Sequence, residues 1–209
     1  AGNKEAYERF IVSTAQYIKS LDPNHLVSVG SEGSYGSEND MDLYRKVHQT
    51  EFVDYLTCHI WPKNWMWIDI QDVPGSVERA AMLAEGYLEE HVSLAVALNK
   101  PLVLSEFGFP RDNHRYDRED PVMARNAFYG RIFNRLAASA KASGNFAGCN
   151  IWAWGGFARP QHIFWEPGDD YCGDPAQEEQ GLNSVFAEDE TVSLIQSYTT
   201  LLNEKQSQE

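Results

Sequence analysis

The succession of apolar segments predicts an α/β fold: a (β/α)8 TIM barrel of which these 209 residues supply about four strand-helix units, a half-barrel. Three observations carry this expectation. Helix and strand alternate four times, and parallel neighbours need such crossovers because tight turns cannot join them. The strands are short and apolar on both faces, as buried parallel strands are. Polar and aromatic residues gather at their carboxyl ends, where α/β sheets and barrels bind ligands. No G-x-G-x-x-G loop follows any strand, which favours a barrel over a nucleotide-binding sheet. A complete barrel takes eight strands and typically about 250 residues.

Along residues 4–21, Tyr7, Phe10, Ile11, Thr14, Ile18 and Leu21 recur at the spacing of one helix face. Asp22-Pro23-Asn24 breaks that helix. "HLVSVG" (25–30) reads as the first strand, 42–52 as a short helix and "DYLTCHIW" (54–61) as the second strand. Residues 75–99 are helical, with Ala, Leu and Val every three or four positions. "PLVLSE" (101–106) is the third strand, 121–143 the next helix, "FAGCNIWAW" (146–154) the fourth strand and 188–202 the last helix. No linker or low-complexity stretch interrupts the order, so 1–209 reads as one unit.

A net charge of -14 excludes nucleic acid and anionic membrane surfaces as natural partners, because phosphates demand clustered Lys and Arg. No apolar run approaches the roughly 20 residues of a membrane span, and no basic-then-apolar signal segment is present. The chain opens Ala1-Gly2-Asn3 without methionine, which points to further sequence upstream. Cys58 and Cys149 lie in strand-like runs and read as buried free thiols, whereas Cys172, in a polar loop, is open to pairing with a cysteine elsewhere. The His and carboxylate groupings Asp112-Asn113-His114 and Asp169-Asp170 lack the spacing of a metal site and read as turn chemistry; no metal or cofactor is expected.

The position that most needs explaining is Glu106, at the end of an apolar strand in "KPLVLSEFGFPRD". An ionised carboxylate there is costly unless paired. Arg111 or another loop arginine offers one explanation, an ion pair; an active role at a strand end is the other. Four strand ends bring it company: Glu32 and Tyr35, His59 and Trp61, Phe107, and Trp152 with Trp154. Flat rings beside hydrogen-bonding groups form a surface on which sugar rings stack, and six tryptophans in a strongly acidic chain favour a neutral, polyhydroxylated ligand. Beside a carboxylate, His59 becomes an orienting partner. Ser105 should face away from Glu106, because side chains alternate along a strand.

"SLDPNHLVSVGSEG", "HIWPKNW", "KPLVLSEFGFPRD", "GCNIWAWGG" and "GDDYCGDPAQEEQGLNSVF", taken in order, resemble family 5 glycoside hydrolases, and among them the endo-β-1,4-mannanases. The resemblance runs over essentially the whole chain and implies the C-terminal half of the catalytic barrel, strands five to eight. It implies that Glu106 is the catalytic nucleophile of a retaining enzyme, in which two carboxyl groups sit about 5 to 5.5 Å apart. It makes His59 and Trp61 the flanking residues on the sixth strand, the second at a position where the family often has tyrosine. Trp152, and less directly Trp154, match the floor of the subsite for the reacting sugar, and Glu32 a carboxylate near the leaving-group subsites. The loop 157–175, with Arg159, His162 and Trp165, would wall the cleft or else be anchored by its own aromatics.

The resemblance also implies what lies elsewhere. The family's acid/base, a glutamate preceded by asparagine at the end of the fourth strand, would stand upstream of Ala1, so this chain alone is expected to be inactive or nearly so. The expected substrate is β-mannan or manno-oligosaccharide, and the expected partner for the open edges is the missing N-terminal half-barrel or a second copy. An extracellular or periplasmic location goes with such an enzyme. Two alternatives remain open at this point: another β-glycanase of the family, such as a cellulase, and a non-catalytic carbohydrate-binding half-barrel.

Overall fold

A computed structural model describes residues 3–206 apart from 116 and 118, with the backbone alone for 204–206. The chain runs α1 (Lys4–Leu21), a 3-10 turn (Tyr35–Ser37), α2 (Met41–His48), β1 (Leu56–Ile60), α3 (Val73–Leu98), β2 (Leu102–Phe107), α4 (Met123–Lys141), β3 (Phe146–Ile151), β4 (Trp154–Gly156), β5 (Val185–Phe186) and α5 (Glu190–Gln206). The helix ends follow local chemistry. Asn3 and Asp72 cap α1 and α3 by accepting the amides of Ala6 and Gly75, and α3 stops at Asn99 in the left-handed conformation. Asp112 accepts the amides of Met123 and Ala124 at the start of α4, so the first residue of the Asp112-Asn113-His114 grouping serves a helix terminus.

Strands β1, β2 and β3 form a parallel sheet in that order, with Leu56 beside Leu102 and Leu102 beside Phe146. The crossover helices α3 and α4 cover one face, where Leu56, Ile60, Ala80, Ala84, Leu88, Leu102, Leu104, Phe128 and Ile132 are buried in one core. Alanines along α3 bring that helix close to the strands, and the aromatics of α4 fill the space beyond. No helix among the described residues is long and apolar enough to cross a membrane.

Three sequence expectations change. Residues 25–30 do not form a strand. Only Ser28 is bridged, to Tyr55 just before β1, and the carboxylate of Asp54 takes the amide of Val27 that a strand partner would use. The last predicted strand, 146–154, ends at Ile151. There the chain passes through a cis Trp152–Ala153 peptide bond and re-forms as β4, paired in parallel with β5. The apolar face of α1 is only partly covered: Ala15 is buried and packs with Val27 and Val53, while Phe10 and Leu21 are 62% and 69% exposed. All three cysteines are free, and Cys172 is buried despite its polar sequence surroundings, which removes it from pairing at the surface.

Behind the carboxyl ends of the strands lies a buried charge network. Arg111 donates two 2.8 Å hydrogen bonds to the carboxylate of Asp189. Arg125, fully buried on α4, donates to the carbonyls of Phe109, Leu182 and Ser184. Two guanidinium groups thus tie the segment after β2 to the segment that leads into β5 and α5.

Candidate active site

Parallel register places His59 beside Glu106, one at the end of β1 and the other at the end of β2. Nδ1 of the imidazole lies 3.2 Å from Oε2 of the carboxylate, and both side chains are largely covered, 16% and 30% exposed. Burial lowers the pKa of His59, which favours the neutral imidazole beside Glu106. Burial raises the pKa of Glu106, and the nearby charge of Glu32 pushes in the same direction; a hydrogen bond from the Trp61 indole opposes both. The carboxylate therefore holds its proton to higher pH than a free glutamate does.

Arg111 is not its partner. That guanidinium is spoken for by Asp189, which corrects the pairing of Glu106 with Arg111 considered from sequence. Ser105 points the other way, its hydroxyl donating to the carbonyl of Cys58 at 3.3 Å.

Two rings close the site around Gly108. Trp61 and Trp152 meet edge to face, with centroids 6.1 Å apart. A Cβ on Gly108 would fall 2.8 Å from the Trp61 ring, 2.9 Å from the Trp152 carbonyl and 3.1 Å from Asn183 Oδ1. Glycine here is what allows the chain leaving β2 to pass between the Trp61 ring and the Trp152 carbonyl.

Glu32 is held by its backbone. Its carbonyl accepts the amide of His59 at 3.0 Å and the hydroxyl of Tyr87 at 2.9 Å. The next residue, Gly33, has φ +103° and lies so close to Tyr87 and His91 that a Cβ would sit 2.3 Å from one and 2.6 Å from the other. His91 completes the clamp: its Nε2 accepts the Ser34 amide at 3.0 Å while Nδ1 donates to the Tyr87 carbonyl at 2.7 Å. Tyr35, Trp65, Trp67 and Tyr87 pack as one aromatic cluster beside this turn, with Tyr35 4.2 Å from Trp65 by ring centroids.

Of the residues singled out from sequence, Glu32, His59, Trp61, Glu106 and Trp152 come together. Trp154 stands apart on β4, 57% exposed. Arg159 is engaged with its own surroundings: its guanidinium donates to Glu188 and lies over the Phe186 ring. Trp165 donates its indole N–H to the carbonyl of Asp169, and His162 meets the carboxylate of that residue at 3.0 Å, so the loop 157–175 is fastened by its own side chains. Sequence reasoning passed over Tyr87, His91, Asn183 and Arg125, which position the site from helices and a distant loop. Polar residues inside the apolar stretches of α3 and α4 were the available signal.

A family model described as GH family 5 beta-mannosidase-like matches residues 1–207. The chain belongs to that glycoside hydrolase family. Among curated relatives, mannan endo-1,4-beta-mannosidase 4 of Solanum lycopersicum is 28% identical over 160 residues, covering 71% of this chain and 37% of its own. Mannan endo-1,4-beta-mannosidase 3 of Arabidopsis thaliana is 30% identical over 157 residues, covering 66% and 34%. The glycoside hydrolase family 5 mannosidase of Rhizomucor miehei superposes with a TM-score of 0.87 at 31% identity, over 97% of this chain and 49% of that one. A variant of the same enzyme was solved in complex with mannosyl-fructose. This family 5 chain thus spans about a third of the length of those curated relatives and about half of the Rhizomucor enzyme. Its structural neighbours are (β/α)8-barrel hydrolases, and the parallel sheet with its crossover helices corresponds to half of such a barrel.

Proposed function

We propose that this chain is the C-terminal half of the catalytic barrel of a retaining endo-1,4-β-mannanase, with Glu106 as nucleophile. The observation that carries the proposal is the placement of Glu106: a half-buried carboxylate at the carboxyl end of a parallel strand, with the His59 imidazole 3.2 Å away, the Trp61 indole hydrogen-bonded to it and Trp152 against Trp61. Its family membership and its mannosidase relatives supply the substrate class.

In this reading Glu106 attacks the anomeric carbon of a mannosyl unit as the glycosidic C–O bond breaks. A second carboxylic acid protonates the leaving oxygen, and as its conjugate base it then takes a proton from the water that cleaves the mannosyl ester, so the anomeric configuration is retained. His59 fixes the rotamer of the nucleophile, Trp61 and Trp152 pack against the reacting sugar, and Glu32 bonds hydroxyls on the leaving-group side. The proton donor comes from an N-terminal half-barrel. The exposed Phe10 and Leu21 on α1 support a missing partner there, as does a groove of about 390 Å³ lined by Phe133, Leu136, Ile195, Tyr198 and Leu202 beside β3, the end strand of its sheet. A polymeric or oligomeric mannan substrate fits an enzyme that works outside the cytoplasm, extracellular or periplasmic.

The test is hydrolysis of mannan and of a soluble cellulose derivative by three samples. These are the 209-residue chain, the chain joined to a family N-terminal half, and that joined protein with Glu106→Gln. Mannan cleavage by the joined protein only, lost by ~10³-fold or more on substitution, a typical size for removing a catalytic group, supports the proposal. Product from the chain alone overturns the need for a second half; preference for the cellulose derivative overturns the substrate.

The family description and the 0.87 superposition on a mannosidase favour a second reading, a β-mannosidase that removes single sugars from chain ends. Mannohexaose decides: mannose and mannopentaose as the early products mark the mannosidase, and a mixture of shorter oligosaccharides such as mannobiose to mannotetraose marks the endo-acting enzyme.

A further inference from the structure

Helix α3 turns its apolar side to the sheet, yet two of the residues it buries there are polar: Tyr87 and His91, one helical turn apart, 7% and 0% exposed. Leucine or phenylalanine would fill the same space without taking a hydroxyl and an imidazole out of water. Packing alone does not explain the pair.

Both side chains reach the turn that carries Glu32. Tyr87 donates its hydroxyl to the Glu32 carbonyl and accepts the Tyr35 amide at 3.4 Å. His91 accepts the Ser34 amide, and the Ser34 carbonyl in turn accepts the amides of Ser37 and Asn39 at 3.0 and 2.8 Å. Ser34 is thus the hub of the 3-10 turn, and His91 fixes the hub. From the other side the turn is tied to β1: Thr57 donates its hydroxyl to the Ser31 carbonyl, and the amide of His59 donates to the Glu32 carbonyl. The Glu32 side chain lies across Gly36, where a Cβ would sit 2.9 Å from its own Cβ and 3.8 Å from Oε2.

Two carboxylates are thereby set on one frame. Glu106 stands on β2 with His59 and Trp61 beside it, and Glu32 is near enough for its charge to oppose ionisation of Glu106. The groups around the clamp add no charge at neutral pH. Burial keeps His91 and His48 neutral, and it keeps the Tyr44 hydroxyl and the Cys58 thiol protonated. Tyr44 meets His91 edge to face from α2, with ring centroids 5.0 Å apart.

We propose that His91 and Tyr87 are positioning residues for the reaction: from α3 they fix the turn around Ser34, and through it the spacing between the Glu32 carboxylate and Glu106. The proposal rests on the mannan reading, in which Glu32 works beside the nucleophile, and deepens it. Neither side chain touches the substrate; each acts through backbone groups of the turn.

The experiment follows the Glu106 carboxyl by carbon-13 NMR as pH is varied in the 209-residue chain. Glu32→Gln should move its midpoint to lower pH, because a like charge is gone. Tyr87→Phe and His91→Phe should move it the same way, while His91→Gln, which keeps an acceptor for Ser34, should stay near wild type. Tyr87→Phe loses only a hydroxyl, so it tests the clamp even if His91→Phe does not fold. Added to Glu32→Gln, Tyr87→Phe should give no further shift. A wild-type midpoint in Tyr87→Phe and in any His91→Phe that folds, or a Tyr87→Phe shift that persists beside Glu32→Gln, overturns the positioning role and leaves the mannan reading standing. In the chain joined to a family N-terminal half, Tyr87→Phe should lower kcat/KM on mannohexaose by ~10-fold or more, with His91→Gln close to wild type. Failure of the joined wild type to cleave mannohexaose overturns the mannan reading, and the role in the reaction with it.

Discussion

His91 Nε2 accepts the backbone amide of Ser34 at 3.0 Å, so a histidine buried in the middle of α3 fixes the turn that carries Glu32. Burial pushes its pKa down to about 4, and that of His48 likewise. Unfolded histidines titrate near 6.5, so between about pH 6.5 and 4 the unfolded chain binds more protons than the folded one and stability falls as pH falls. Protonation of His91 turns its acceptor into a donor facing another donor. The expectation is a loss of stability across that window, with the Ser34 amide resonance shifting as it proceeds; both are read by denaturant titration and NMR. A His91→Gln variant, whose amide can keep the acceptor, flattens the His91 share of the dependence.

Asp189 lies between two fully buried guanidinium groups, Arg111 at 2.8 Å and Arg125 at 3.6 Å. Asp189→Ala leaves both without it and should cost about 3–5 kcal/mol, the range for breaking a buried ion pair. Glu188→Ala, which breaks an exposed pair with Arg159, should cost no more than ~1 kcal/mol. Urea denaturation of both variants tests the contrast.

Glu106→Gln should stabilise the chain at neutral pH. The folded carboxyl has a raised pKa, so the folded state binds its proton more tightly than the unfolded state does, and ionisation at neutral pH weakens folding. Removing the charge should raise Tm at pH 7 by up to ~3 °C, the response of a chain of this size to ~1 kcal/mol. The gain should vanish in acid, where wild type is protonated as well. A Tm difference that grows as pH falls would contradict this.

Gly108→Ala introduces a methyl group into a gap that the Trp61 ring, the Trp152 carbonyl and Asn183 already fill. Destabilisation of about 1–3 kcal/mol is expected from overpacking. Trp61 is the element able to yield, so tryptophan fluorescence should change along with Tm.

The sheet was legible because Leu102–Phe107 and Phe146–Ile151 are written as largely apolar runs, although the burial is one-sided: Leu102, Leu104, Phe107 and Phe146 are buried while Ala147 and Asn150 are exposed. Residues 25–30 carry the same signature, yet Asp54 caps the amide that would have extended the ladder. Propensity cannot register a side chain from another segment taking a strand's place. Glu106, His59 and Trp61 could be found at strand ends by position alone. Arg125 and His91 could not, since each acts through backbone groups far away in sequence: Arg125 through Leu182 and Ser184, His91 through Ser34. Arg159 and Trp165 looked like cleft residues because arginine and tryptophan suit sugars, but Glu188 just after β5 takes the guanidinium of Arg159, and Asp169 of the same loop takes the indole N–H of Trp165.

Lys100 stands just before β2 and donates to the carbonyls of His48, Thr50 and Val53, each at 2.6 Å. One ammonium thus gathers the end of α2 and the turn into β1 as a bound cation would. Amides in that turn consequently share the slow hydrogen exchange of the sheet, opening with it as one cooperative unit although no regular secondary structure covers them.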